Sequence, residues 1–82
     1  MIITARSALE LGQAIRRFRK KKNLSQSDVA KTFNLRQATI SNLERGGESK
    51  KLDILFMVLS SLNLEVSIQE KVPPPEIDEE NW

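Results

Sequence analysis

The chain has no cysteine, no histidine and no tyrosine, and only three glycines and three prolines in 82 residues. Without cysteine there is neither a disulfide framework nor a thiolate metal site, and without histidine the commonest metal ligand and the usual general base at neutral pH are missing. Zinc enzymes, cysteine proteases and hydrolases that work through a Ser-His pair are therefore excluded. Apolar runs fall far short of the roughly 18 residues a membrane span needs, and Met1-Ile2-Ile3-Thr4 lacks the basic start and long apolar stretch of a signal peptide. The expectation is a cytoplasmic protein with no membrane partner and no cofactor. With 39% hydrophobic and 29% charged residues the chain is globular, and 82 residues allow one small domain whose core is marginal unless a second copy adds burial.

The net charge of +2 hides a gradient. Residues 1–22 carry seven basic residues against one acidic, whereas residues 72–82 carry four acidic and no basic ones. A basic first half ahead of an acidic end points to a polyanion partner at one end and a different contact, or plain solvation, at the other. On pattern alone, Arg16-Arg17-Phe18-Arg19-Lys20-Lys21-Lys22 is equally a solvated helix face.

Four helices are predicted. Ser7-Ala8-Leu9-Glu10 fits the S-x-x-E capping box, and Leu11, Ala14, Ile15 and Phe18 follow at helical spacing, which predicts a helix over 8–21 with its arginines outward and Asn23 closing it. Ser25 and Asp28 start a second, short helix over 26–33 with Val29, Ala30 and Phe33 inward, and Asn34 turns the chain. A third helix follows over 36–45, with Ala38, Ile40 and Leu43 as its apolar positions and Gly46-Gly47 as its stop. Two helices separated by three or four residues have the helix-turn-helix spacing. The fourth helix, over about 51–62, places Leu52, Leu55, Phe56 and Leu59 on one face and Ile54, Met57 and Val58 round the side. So apolar a circumference asks for a subunit interface, assigned to Ile54, Met57 and Val58.

Leu64-Glu65-Val66-Ser67-Ile68-Gln69-Glu70 alternates as a half-buried strand does. Its partner is either Ile2-Ile3-Thr4 or the same segment of a second chain, and a two-fold ribbon between chains, with Val66 and Ile68 in the interface, is the favoured arrangement. The fold class expected is thus all-α with a short C-terminal strand. Residues 1–71 form the domain, and 72–82, beginning with Val72 and three prolines, an acidic disordered tail. Trp82 at its end is either a chance residue or an anchor for a pocket on a partner.

The run Leu24-Ser25-Gln26-Ser27-Asp28-Val29-Ala30-Lys31-Thr32-Phe33-Asn34-Leu35, continued by Gln37-Ala38-Thr39-Ile40-Ser41-Asn42-Leu43-Glu44-Arg45-Gly46, resembles the helix-turn-helix of phage-repressor-like, Xre-type regulators. The Gln-Ala-Thr-Ile-Ser-Asn core, the alternating segment and the acidic end with Trp82 are similar to the narrower group of HipB-like antitoxins. Two positions depart from the broad pattern: Asn34 stands at the usual turn glycine, and Arg36 at the usual Ser or Thr cap. The resemblance implies a homodimer that binds a palindromic operator in double-stranded DNA, represses its own operon and binds a HipA-like Ser/Thr kinase toxin through a tail that includes Trp82.

In a helix-turn-helix the second helix lies in the major groove with its first residues on base edges. Gln37, Ala38, Ser41 and Asn42 are accordingly the expected base contacts. Gln26, Arg36, Thr39, Arg45 and Lys50 are the expected phosphate contacts, which position without specifying. A stand-alone dimeric repressor without a toxin is the alternative, and a pure interaction module is a third reading, disfavoured by the polar third helix and the basic first half. An enzyme is the weakest reading, because Glu44, Asp53 and the serines have no histidine to work with.

Overall fold

The computed structural model describes residues 1–47 and 51–71. They form four helices, α1 (Ala8–Lys21), α2 (Gln26–Thr32), α3 (Gln37–Glu44) and α4 (Leu52–Ser61). The expectations for Lys50, for Trp82 and for the acidic tail lie outside the described residues.

The first two helices begin, and all four end, for local reasons. Ser7 Oγ accepts the Glu10 N–H at 3.1 Å, while the Glu10 carboxylate reaches back past the cap to accept the Arg6 N–H at 3.3 Å. At α2 the capping box is complete: Ser25 Oγ accepts from Asp28 N–H at 3.0 Å, and Asp28 Oδ2 accepts from Ser25 N–H at 2.8 Å. These bonds to its charged form hold the Asp28 carboxyl below its ordinary pKa, the Ser25 backbone N–H contributing most.

All four helices close the same way. Asn23, Asn34 and Asn63 take left-handed φ of 57°, 54° and 55°, and Gly46 takes 71°. The residue after each donates back to a carbonyl in the last turn: Leu24 to Arg19 at 3.2 Å, Leu35 to Ala30 at 2.8 Å, Gly47 to Asn42 at 2.9 Å and Leu64 to Leu59 at 2.8 Å. These are Schellman closures, and in the three Asn-Leu pairs the leucine packs against the core as the motif's hydrophobic contact. Asparagine suits the site because its short polar side chain tolerates αL.

The core takes Ile15 from α1, Val29 and Ala30 from α2, Ile40 from α3 and Val58 and Leu59 from α4, with Leu62 just beyond. The helix α1 crosses the end of α3 so closely at Gly12 that a Cβ there would stand 2.7 Å from the Glu44 carbonyl oxygen and in contact with that of Leu43. Lys22 Nζ donates to the Leu62 carbonyl, which ties the end of α4 to the basic end of α1.

The structure corrects four expectations. Val58 is wholly buried in its own chain's core, so it offers nothing to a partner; the inward line of α4 is Leu55, Val58, Leu59 and Leu62, while Leu52 and Phe56 are exposed. Phe33 is 39% exposed, because it is the cap residue of α2 and its φ of −121° swings it off the helical line from Val29. Arg19 is not outward but buried. No strand forms among the described residues: 64–70 run without a ladder, and Ile2-Ile3-Thr4 does not pair with them. An alternating sequence makes a strand only where another edge accepts its hydrogen bonds.

Candidate nucleic-acid interface

The connection between α2 and α3 is only residues 33–36, so α3 is held across α2 with its first turn beside the start of α2. That places Gln26 and Ser27, at the start of one helix, against Gln37, at the start of the other. The Gln37 amide is gripped on both atoms: Nε2 donates to Gln26 Oε1 at 3.3 Å, and Oε1 accepts from Ser27 Oγ at 3.2 Å. Gln26 in turn donates from Nε2 to Glu44 Oε1 at 3.3 Å.

Glu44 is the root of this chain of bonds. It is buried, and it takes the Arg19 guanidinium in a two-pronged contact, Nε to Oε2 at 2.6 Å and Nη2 to Oε1 at 2.9 Å. A third guanidinium bond, from Nη1, goes to the Leu24 carbonyl at 2.7 Å. The bonds to Glu44 raise the Arg19 pKa further, so the guanidinium is charged at every working pH. The series Arg19–Glu44–Gln26–Gln37–Ser27 therefore runs from an anchored buried pair to an exposed amide at the tip of α3. A glutamine side chain whose three rotatable bonds are restrained in this way is pre-organised for a contact.

The remaining hydrogen-bonding capacity of Gln37 decides what it can do. A glutamine amide offers two N–H groups and two carbonyl lone pairs. After the bonds to Gln26 and Ser27, one of each is left on an exposed residue. A donor beside an acceptor is the pattern that complements the N7 and N6 edge of adenine in the major groove.

The other expected residues divide. Arg36, Gln37 and Ala38 are exposed around the tip of α3, and Ser41 lies one turn on from Gln37, half-buried. Thr39 is half-buried, with its N–H bonded to the Arg36 carbonyl at 3.0 Å. Arg36 occupies the cap position of α3 with no side-chain cap bond, as the departure from Ser or Thr implies. Asn42 is turned to the other end of α3: a Cβ on Gly47 would collide with its Oδ1 and stand 2.7 Å from its Cγ. Arg45 is exposed at that far end, eight positions or roughly 12 Å along the axis from Gln37.

Sequence reasoning missed Arg19, Glu44, Ser27 and Gly12. The signal was present. Arg19 is four residues past Ile15 and Glu44 four past Ile40, so each continues an inward apolar line, and two inward charges of opposite sign are expected to find each other.

A helix-turn-helix family model matches residues 15–69. The antitoxin HipB of Escherichia coli K12 is 34% identical over 62 residues, covering 76% of this chain and 70% of HipB. The chain belongs to the helix-turn-helix family of HipB. HipB of Escherichia coli O6:H1 is likewise 34% identical, and there the match spans 66% of the relative's length. Among solved structures, the chain superposes on a HipA-HipB-O2-O3 complex with a TM-score of 0.79 at 30% identity, covering 87% of this chain and all of the matched one. Of the fold expected, the helical helix-turn-helix bundle is thus shown, and the C-terminal strand is not found among the described residues. No helix among the described residues is long and apolar enough to cross a membrane.

Proposed function

We propose that this protein is a DNA-binding antitoxin that represses its own operon and neutralises a HipA-like Ser/Thr kinase toxin. The observation that carries the DNA reading is Gln37, exposed at the tip of α3, fixed through Gln26 to a buried ion pair, and left with one donor and one acceptor to spare. Gln37 reads an adenine, Ala38 touches a thymine methyl, and Ser41 reaches the next base edge. Asn42 reaches a base only by leaving its place at Gly47. Gln26 keeps one amide N–H for a phosphate, and Arg36, Thr39, Arg45 and Lys50 are the other phosphate contacts.

Residues 1–71 act as the binding and dimerisation unit. Ile54 and Met57, half-buried, and Val66 and Ile68, the latter 97% exposed, supply the apolar surface that a second copy covers. The 64–70 segments then pair with each other across the two-fold axis, which gives each the edge it lacks alone. Two recognition helices about 34–36 Å apart require a palindromic site with half-sites one helical turn apart. The acidic end with Trp82 is the toxin contact.

Binding to duplex DNA at rising salt tests the DNA reading. With about four or more phosphate contacts per dimer, affinity falls about a hundredfold or more between roughly 50 and 200 mM salt. Salt-independent binding, or none, defeats it. Co-purification of a HipA-like kinase from the native cell, with the full chain and with one ending at Val72, tests the toxin contact. If only the DNA reading survives, the protein is a stand-alone repressor.

A further inference from the structure

The outward side of α1 carries Gln13, Arg16, Arg17 and Lys20 around one shallow, open hollow, and all four are exposed. This side faces away from α3, because α1 turns Gly12, Ile15 and Arg19 inward. It therefore lies apart from the Gln26–Gln37 contact, and the base reading leaves it unexplained. Among the described residues no carboxylate pairs with Arg16, Arg17 or Lys20. Arg16 and Lys20 are four residues apart on one helix, a like-charge pair that repels until an anion joins it.

The chain carries such an anion. Glu76, Asp78, Glu79 and Glu80 give four negative charges within five residues. The bond from Lys22 Nζ to the Leu62 carbonyl places the exit from α4 beside the basic end of α1. From Leu62 to Glu76 the chain can span up to roughly 46 Å at about 3.3 Å per residue, whereas Lys22 to Arg16 along α1 is only about 9 Å. We propose that the acidic segment 76–80 docks on the Arg16, Arg17 and Lys20 face of α1 in the same chain, as an internal counter-charge that other polyanions must displace.

Trp82 is the chain's one tryptophan and sits two residues past Glu80, so it reports this contact directly. In the full chain, acrylamide quenches its fluorescence about twofold more slowly at roughly 20 mM salt than at 0.5 M, where the pairing is screened. That difference is expected to be independent of protein concentration. It is expected to vanish in the variant Glu76→Gln, Asp78→Asn, Glu79→Gln, Glu80→Gln and in the variant Arg16→Gln, Arg17→Gln, Lys20→Gln. The first alters none of the described residues, so it reads the contact even if the second weakens α1. Quenching that ignores salt in the full chain overturns the proposal. So does protection that survives the α1 variant, or that grows with concentration and thus belongs to a second copy. Tighter DNA binding by the neutralised tail is a consequence that rests on the proposed function; the quenching experiment needs no DNA, so the two can fail separately.

Discussion

Replacing Glu44 by leucine removes the root of the polar chain and leaves a charge stranded. The Arg19 and Glu44 side chains are 8% and 2% exposed, so neither can turn to water without opening the contact between α1 and α3. In Glu44→Leu the guanidinium keeps only the Leu24 carbonyl, at 2.7 Å. Breaking a buried pair by removing one partner costs about 3–5 kcal/mol. A domain of this size has in all about 4–12 kcal/mol of stability. At an m-value of about 1–2 kcal/mol/M the urea midpoint therefore falls by about 1.5 M or more. The double substitution Arg19→Met, Glu44→Leu puts apolar groups of similar volume on both sides and is expected to recover most of the loss. Urea unfolding of the wild type, both single variants and the double variant completes a thermodynamic cycle. A loss below about 1 kcal/mol in Glu44→Leu, the range of an exposed pair, refutes the reasoning. So does a double variant no more stable than the single. The refolded double variant also lacks the acceptor for Gln26 Nε2, so its DNA sequence preference is expected to weaken although its fold returns.

Gly12→Ala pushes a methyl into the backbone of α3 and is expected to lower stability by about 1–3 kcal/mol, read from the same urea transition. Arg36→Ser supplies the missing cap of α3 and is expected to gain about 1 kcal/mol in thermal unfolding while weakening DNA binding, a split that a purely structural Arg36 would not show. The Asp28 carboxyl is held below its ordinary value in the fold. Its contribution is therefore fully present above the unfolded value of about 4 and is lost as pH falls through the lower folded value. Unfolding midpoints measured down to about pH 2 are expected to fall less steeply in Asp28→Asn, which keeps an acceptor for the cap but has no proton to take up.

The helix boundaries were legible because their signals are local. Ser7, Ser25, Asn23, Asn34 and Gly46 act within one turn of themselves, and each does in the structure what its residue type dictates. Asn63 closes α4 by the same device and went unread behind the apolar run. Faces were harder. In α4 nearly every side chain is apolar, so periodicity cannot say which line turns inward, and Val58 was assigned to the wrong side. Arg19 was misread, and Glu44 passed over, for the opposite reason: charge argues for the surface while their spacing from Ile15 and Ile40 argues for the interior. Spacing prevailed because the two charges satisfy each other across a gap of 25 residues, which no window along the chain displays. Within the candidate site, the tip of α3 was singled out from the spacing of two helices together with the family resemblance. That Gln26 and Ser27 would hold Gln37 between them depends on how α3 crosses α2, a fact of packing.

The most direct test of the DNA reading is selection from a pool of random duplexes, carried out in parallel with the wild-type chain and with Gln37→Ala at one fixed salt concentration. The wild type is expected to enrich a palindrome whose half-sites sit about 10–10.5 base pairs apart. Gln37→Ala is expected to bind the enriched sequence about 1–3 kcal/mol more weakly per contact and to lose preference at one position in each half-site, an adenine. A wild type that enriches nothing, or a Gln37→Ala variant that enriches the same sequence with the same preference, contradicts the placement of α3 on the bases.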